Sequence, residues 1–462
     1  MDRISEDKRK KIFFLGIIFF LMPFTFTPNL YAKERVIFDL KQCIKMAVET
    51  SPEIGESRYE RDVYIAKKQQ ADSGVYPQIE ATALIAPSPR AKKEHLTPDI
   101  KTSVGTTING IFGGIDITLI QPVYTFGKIT GYKEAASRGV NIANAGIYKT
   151  TADIILRVKE LYYGLLLAKD MRKLLLETRD ELTESIKKAE KHIELDSPWA
   201  DEVNLFKLRA FLGEVEKYLN ETDKNISIAK DGLITMTNLP RDVEFDIADE
   251  SLTPEDAPID NIINYIKHAH QFRPEIIQIN EGLLARQALI NVERSNLYPH
   301  FFIGLKASIA GATNRDKIDN PYIFDYFNHT SGAIFGGLKW TFDFGITNGR
   351  IKESEAQYKS LLEKKRFVDE AIPFQIRRSF LDNEESKKNI EETERAYKNA
   401  RKWLISAIAN FDIGIGDAKE IGDAALSYIR LKAEYLRSVY NNRISYANIL
   451  HASGMSYKEL IK

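Results

Sequence analysis

The sequence predicts a mainly α-helical fold with a transmembrane β-barrel segment, built from two tandem copies of one structural unit. Residues 39–77 and 261–299 align without gaps at an offset of 222. In each copy the apolar pattern then changes to a period of two, and the copy ends in a long helical hairpin. Internal repeats constrain an architecture more strongly than any single motif. We therefore expect the 462 residues to form one elongated body.

The composition limits the classes of protein that this chain can belong to. Lys and Arg number 65 and Asp and Glu number 65, so there is no basic excess of the kind that marks a nucleic-acid partner. The single cysteine, Cys43, excludes an internal disulfide framework. Cys43 lies in a helical pattern and is predicted to be a buried thiol.

The N-terminus has the pattern of a secretory signal peptide. Four basic residues at 8–11 precede an apolar run at 12–22, and the small residue Ala32 follows. We predict a signal peptide over residues 1–32. The alternative is an uncleaved anchor helix, which Pro23 and Pro28 disfavour because they interrupt the run. No later stretch could cross a bilayer as a helix, so any membrane segment is predicted to be β-structure.

The mature chain divides into a first repeat (33–240), a linker (241–258) and a second repeat (259–462). Pro-Glu-Ile begins a helix in each repeat, where proline suits the first turn. Tyr-Pro ends that helix in both copies. Two alternating segments follow each time, and we predict four strands, at 79–85, 115–119, 301–309 and 338–344. Such alternation is typical of membrane strands and also of half-buried strands in soluble sheets; the signal peptide and the repeat favour the membrane.

A long helical hairpin follows each pair of strands. Helices are predicted over 128–195 and 347–410, the second with a kink at Pro373. The first return helix carries an apolar heptad over 205–233, which indicates left-handed coiled packing. The second return helix carries apolar residues over 426–450. At ~1.5 Å per residue, a helix of about 65 residues is roughly 100 Å long.

Four strands cannot close a barrel, and an open sheet edge is not tolerated in lipid. Two chains would pool eight strands and three chains would pool twelve. The long helices favour three chains, because they too must be arranged side by side.

These residues resemble the TolC-like family of outer-membrane efflux and secretion ducts. The resemblance rests on two Ala-x4-Pro-Glu-Ile helix starts, two Tyr-Pro strand entries, Gln-Pro-Val-Tyr-Thr-Phe-Gly at 121–127 and Phe-Asp-Ile-Gly at 411–414. It implies a homotrimer with a 12-stranded barrel in the outer membrane and an α-helical barrel across the periplasm. It also implies a passive exit duct in a tripartite efflux pump or a type I secretion system. The implied partners are outer-membrane lipid, a periplasmic adaptor (membrane fusion) protein and an inner-membrane pump of the RND, ABC or MFS type.

The resemblance places the hairpin turns, 195–201 and 411–417, at the periplasmic tip. The predicted adaptor-docking residues are Asp196, Ser197, Pro198, Phe411, Gly414 and Gly416. Aperture residues by resemblance are Glu420 and Asp423, with Asp201 and Glu202 aligned to them in the first copy. Three copies of these carboxylates could form a cation-attracting ring. Alternatively, they are solvated charges that favour a helix N-terminus.

Asp196 stands where the family usually has a glycine, so the first turn is expected to differ in shape. Gly416 replaces a basic residue that follows the tip glycine in some members, which puts a salt bridge there in doubt.

Other signals predict neither catalysis nor a cofactor or metal. His268 and His270 are two residues apart and do not share a helix face. Gly414 and Gly416 lack the strand that precedes a phosphate-binding loop. The competing hypotheses are a soluble periplasmic coiled-coil adaptor or tethering protein and, with no catalytic constellation to support it, a periplasmic enzyme.

Overall fold

The structure is a computed structural model that describes residues 35–91, 107–196, 201–318 and 322–456. The predicted signal peptide, 1–32, lies outside the described residues, as do Ser197 and Pro198. The helices are α1 (Leu40–Thr50), α2 (Pro52–Ser73), α3 (Lys128–Glu194), α4 (Glu202–Thr237), α5 (Ile262–Phe272), α6 (Pro274–Ser295), α7 (Ile346–Asp412) and α8 (Ala418–Ala452). The strands are β1 (Arg35–Phe38), β2 (Gln78–Pro89), β3 (Ile108–Tyr124), β4 (Glu244–Ile247), β5 (His300–Ala312) and β6 (His329–Lys339).

The short helices begin where the sequence predicts. Pro52 is the first residue of α2, and the side chain of Ser51 accepts a hydrogen bond from the Ile54 N–H. Pro274 likewise begins α6, although Arg273 at its N-cap makes no side-chain cap. The proline fixes a helical φ and removes an N–H that would have no partner in the first turn. Helices α2 and α6 are each 22 residues long.

The two long helices are each 67 residues and end within two residues of their predicted bounds. Helix α7 continues through Pro373. Each begins after a turn whose two residues have positive φ, Phe126-Gly127 before α3 and Phe344-Gly345 before α7. Helix α3 packs against α2, α4, α6 and α8, whereas α7 packs chiefly against α8 and α6.

The large sheet has four antiparallel strands in the order β2-β3-β5-β6. Strands β3 and β5 join the two halves of the chain, with Ile117 opposite Ala307. The prediction for the last strand was wrong. We expected residues 338–344, but β6 covers His329–Lys339 because its pairing with β5 starts opposite His300. Trp340, just beyond it, donates its Nε1–H to the Leu297 carbonyl instead.

A second, two-stranded sheet was not predicted. Strand β1 pairs in parallel with β4, and Val36 lies opposite Phe245. Phe245 and Ile247 are buried in the same cluster as Cys43. This sheet therefore pairs the strand that precedes α1 with the strand that follows α4.

Candidate functional site

The first hairpin turn, between α3 and α4, begins at a residue in the left-handed conformation. Asp196 has φ +50° and donates its N–H to the Ile193 carbonyl at 3.1 Å. Asp201 is the N-cap of α4, and its carboxylate accepts the Val203 N–H at 2.9 Å. A carboxylate at this position satisfies one of the N–H groups that a helix start leaves unpaired.

The second turn, between α7 and α8, is built in the same way with glycines. Gly414 has φ +77° and donates to the Phe411 carbonyl. A Cβ at Gly416 would lie 2.8 Å from the Phe411 backbone nitrogen, so this position excludes a side chain. Asp417 is the N-cap of α8 and accepts the Lys419 N–H at 3.0 Å. Asp196 and Gly414 are therefore equivalent positions, and the aspartate adopts the conformation for which glycine is favoured.

Ion pairs tie the two hairpins together close to their turns. Lys207 of α4 donates to Asp417 at 3.1 Å, and Lys188 of α3 donates to Asp412 at 2.7 Å. The Lys419 N–H and the Lys207 ammonium hold the pKa of Asp417 below its usual range. These contacts fix how the α3–α4 hairpin sits against the α7–α8 hairpin.

The predicted aperture residues Glu420 and Asp423 are both exposed on α8. Neither has an ion-pair partner within the ranges that the structure describes. Asp201 and Asp417 are both N-caps, whereas the equivalence of Asp196 with Gly414 sets a register that differs by two residues, so the alignment of Asp201 and Glu202 with Glu420 and Asp423 stays a prediction. When the two N-caps are aligned, Lys207 is the first-copy counterpart of Asp423.

Below the turns, all four long helices share one core. The ring of Phe211, on α4, lies directly over Gly422 of α8, where an added Cβ would be 1.9 Å from the ring carbon Cε2. Phe411 packs on this core from the second turn. Outside it, large apolar side chains remain exposed at the tip: Leu195, Val203, Phe206, Ile413 and Ile415.

The large sheet has one apolar face and one mainly polar face. Ile79, Leu119, Leu305 and Ile334 lie side by side across the four strands. Ile79, Leu305 and Ile334 are exposed, Ile334 to 79%, and Leu119 between them is half-buried. The neighbouring positions on the other face form the row Glu80, Thr118, Lys306 and Ala333. The apolar face is thus continuous across strands from both repeats.

Two phenylalanines on the polar face fold over glycines of the adjacent strand. Phe302 covers Gly337, and Phe335 covers Gly304; each glycine lies directly opposite its phenylalanine in the register. A Cβ at Gly304 would lie 2.3 Å from the Phe335 ring. These glycines therefore make space for aromatic rings and do not form a ligand cradle.

His268, which was weighed as a metal ligand, lies 2.8 Å from the Ser453 carbonyl through its Nδ1. Among the described residues, no group of three or more His, Cys, Asp or Glu side chains could hold a metal ion. In the same part of the chain, no helix is long and apolar enough to cross a membrane.

Comparison with solved structures supports the fold, whereas comparison of the sequence with known proteins finds no match. No family model matches the sequence, and no curated protein matches it significantly. Solved structures do match. The outer-membrane channel OprN has a TM-score of 0.74 at 14% identity, over 90% of this chain and 89% of that one. The CmeC outer-membrane channel of Campylobacter jejuni has a TM-score of 0.73 at 14% identity, over 90% and 86%. The outer-membrane protein VceC of Vibrio cholerae has a TM-score of 0.72 at 15% identity, over 90% and 96%.

The chain has the fold of the TolC-like outer-membrane channels. The resemblance read from the sequence is therefore confirmed at the level of the fold. Sequence reasoning missed the partners that fix the tip, Lys207 and Asp417, and the contact of Phe211 with Gly422. An Asp directly before each return helix is an N-cap signal that could have identified Asp417; the partner of Lys207 lies 210 residues away and leaves no local signal.

Proposed function

We propose that this protein is an exit duct of the outer membrane that extends into the periplasm, as the outer component of a tripartite efflux pump or a type I secretion system. The observation that carries the proposal is the continuous apolar face of the large sheet. An exposed apolar face of this size is unusual for a soluble protein and marks an interaction surface. Lipid is the surface that fits it, because the opposite face is mainly polar, as in a barrel wall.

The proposal requires several chains. Strands β2 and β6 are the edges of the sheet, so each has a row of backbone groups that no strand in the order β2-β3-β5-β6 pairs. Unpaired groups are costly in lipid, and strands from other copies would satisfy them. A homotrimer would supply twelve strands and enclose a lumen lined by Glu80, Thr118 and Lys306.

The long helices would form the periplasmic part. A helix of 67 residues spans about 100 Å, and two such helices begin at the same end of the sheet, after the turns at Phe126-Gly127 and Phe344-Gly345. Three copies side by side would make an α-helical barrel. The repeat organisation 33–240 and 259–462, joined by 241–258, then places one hairpin from each repeat in every wall segment.

The partners would dock at the hairpin turns. Leu195, Phe206 and Ile415 are exposed apolar side chains at these turns, and they suit a periplasmic adaptor whose helices pack against the tip. The energised partner would be an inner-membrane pump of the RND, ABC or MFS type. Asp196, Phe411, Gly414 and Gly416 shape the two turns that the adaptor would contact. Ser197 and Pro198 remain docking residues predicted from the sequence.

The same tip would contain the aperture. Glu420 and Asp423 are three residues apart and exposed, so three chains would contribute six unpaired carboxylates. A ring of carboxylates attracts cations. We expect that Glu420→Ala with Asp423→Ala reduces cation selectivity and block by multivalent cations, whereas the single change Glu202→Ala in the first turn of α4 has a smaller effect.

The second candidate function, a soluble periplasmic adaptor or tether, accounts for the helical hairpins. It does not account for the apolar row of Ile79, Leu119, Leu305 and Ile334, three of which are exposed. Outer-membrane fractionation with heat-modifiability separates the two, followed by single-channel conductance of the purified protein. The duct proposal predicts a heat-modifiable outer-membrane species that conducts; a soluble and non-conducting protein would contradict it.

A further inference from the structure

Equivalent positions of the two repeats make equivalent contacts. The Gln121 side chain donates to the Val75 carbonyl at 2.8 Å, and the Trp340 side chain donates to the Leu297 carbonyl at 3.1 Å. Val75 and Leu297 are 222 residues apart, which is the offset of the repeat. Helices α2 and α6 have the same length, as do α3 and α7, so the equivalence continues along them without a gap.

One junction between the repeats lies inside the chain. Strand β3 pairs with β5, and α3 packs against α6. The Phe126 ring, in the turn before α3, stacks on Tyr298 with the ring centroids 4.8 Å apart. An added Cβ at Gly131 of α3 would lie 2.6 Å from the Val292 side chain and 3.1 Å from the Ala288 carbonyl. An aromatic stack and a close helix contact therefore close this junction.

The equivalent junction, from the second repeat to a first repeat, is open. Strands β6 and β2 are the two edges of the described four-stranded sheet. Phe344 and Tyr76 correspond to the stacked aromatic pair, but Phe344 is fully exposed and Tyr76 is 65% exposed. An added Cβ at Gly349, the equivalent glycine of α7, would meet nothing within 4 Å. Ala66 of α2, the equivalent of a buried alanine of α6, is exposed.

We propose that a second copy of this chain closes the open junction, with β6 and α7 of one copy against β2 and α2 of the next. The proposal rests on the assembly of several chains proposed above, and it adds the register of their contact. A second copy carries the required surface, since its β2 and α2 are the repeat equivalents of β5 and α6. Phe344 stacks on Tyr76 of the next copy, and Gly349 lies against Ala66 of its α2.

The repeat also fixes which residues of the two edge strands lie opposite each other. Leu119 of β3 lies opposite the second residue of β2, and Leu338 of β6 lies opposite the second residue of β5. Leu119 and Leu338 are therefore equivalent, since β2 and β5 begin 222 residues apart. Leu119 also lies opposite Leu305, the sixth residue of β5. Leu338 is thus opposite Ala83, the sixth residue of β2, and this register continues the apolar face into the next copy.

Disulfide cross-linking of the full chain in outer-membrane fractions tests the register. In a Cys43→Ser background, Leu338→Cys is combined with Ala83→Cys. The matched controls combine it with Ala81→Cys or Ile85→Cys, two residues away on the same face. Directly opposite residues have Cα atoms about 4.5–5.5 Å apart, within the range of a disulfide, whereas diagonal neighbours are about 7–8 Å apart. We expect the first pair to link chains at least about tenfold faster than either control.

The outcomes separate this register from the duct itself. An intact oligomer that links faster in a control pair, or links in none of the three, would overturn the register and leave the duct proposal standing. A soluble, monomeric protein would contradict both proposals.

A double-mutant cycle tests the aromatic contact. Phe344→Leu and Tyr76→Leu should each lower the temperature at which the oligomer dissociates on a denaturing gel. The double variant should lose less than the sum of the two shifts, because both changes remove one shared contact. The matched control joins Phe344→Leu to Tyr326→Leu, a residue between β5 and β6 that is 72% exposed, and its shifts should add. Additive shifts for Phe344 and Tyr76 would overturn the contact.

Discussion

Helices α3 and α7 have the same length and very different surroundings. Each has 67 residues, but α3 buries 21 of them and α7 buries 9. Near the middle of α3, large side chains such as Tyr162 and Leu165 are buried in a hydrophobic cluster. On α7, Asn383 and Ser386 are buried instead, and Asn383 donates to the Asn442 carbonyl and to Ser445 of α8.

Helix α3 is therefore the central long helix of the described chain, and α7 is a peripheral one. Phe367, Phe374 and Leu381 of α7 remain exposed, and Phe374 is 67% exposed. In the proposed trimer this face of α7 is the one that a neighbouring chain would cover. Two helices of equal length thus differ in burial because their side chains differ.

The largest expected effect comes from replacing one leucine on each long helix with alanine. Leu165 of α3 is fully buried and Leu381 of α7 is 53% exposed. Leu165→Ala should reduce the free energy of unfolding by about 2–5 kcal/mol, because it leaves a cavity in a packed core. In the isolated chain, Leu381→Ala, the matched control, should change the free energy of unfolding by less than about 1 kcal/mol. Urea unfolding followed by circular dichroism measures both, and equal losses would remove the distinction between the helices.

A smaller effect is expected where the hairpins meet. Gly422→Ala forces the Phe211 ring away from α8, and overpacking of this kind costs about 1–3 kcal/mol. Gly213→Ala, on the neighbouring helix α4, has open space around it and should be neutral or stabilise by up to about 1 kcal/mol. Thermal unfolding would show opposite shifts for the two variants. If Gly422→Ala is also neutral, the close approach of α4 and α8 is not as described.

The smallest effect compares the N-caps of the two return helices. The Asp417 carboxylate caps α8 and also accepts from Lys207, whereas among the described residues the Asp201 carboxylate accepts only the Val203 N–H. Asp417→Ala should cost about 1 kcal/mol and Asp201→Ala less. Because the pKa of Asp417 is lowered, its stabilisation is complete above the ordinary carboxyl pKa of about 4 and is lost as the pH falls through the lowered value.

Thermal unfolding at pH 7 and pH 3 measures this effect. The difference between the unaltered chain and Asp417→Ala should shrink at pH 3. Asp417→Asn keeps a good cap and should show little of that pH dependence. A difference that grows on acidification would contradict the role given to the Asp417–Lys207 pair.

The elements with local signals could be predicted from the sequence. Pro52 and Pro274 mark helix starts, and apolar residues at helical spacing mark the long helices, so their bounds agree with the structure within a few residues. The burial of Cys43 was also predicted and is confirmed; burial raises the pKa of its thiol to about 12.

The rest depends on contacts between distant residues. Alternation continues from Leu338 to Phe344, but pairing with β5 ends the last strand at Lys339. Strands β1 and β4 are four residues each, too short for a period to be recognised. Which positions of the two turns correspond also depends on their geometry, because the N-caps and the left-handed residues Asp196 and Gly414 set registers that differ by two residues.

The central claim is that the large sheet is the membrane wall of a conducting duct, and adjacent residues of β3 test it most directly. Asp116 lies on the polar face and Ile117 on the apolar face. In a Cys43→Ser background, single cysteines at these positions would be exposed to a charged, membrane-impermeant thiol reagent during single-channel recording. The duct account predicts that modification of Asp116→Cys changes the conductance and that Ile117→Cys is unaffected. A change at Ile117→Cys alone, or no channel in either variant, would contradict it.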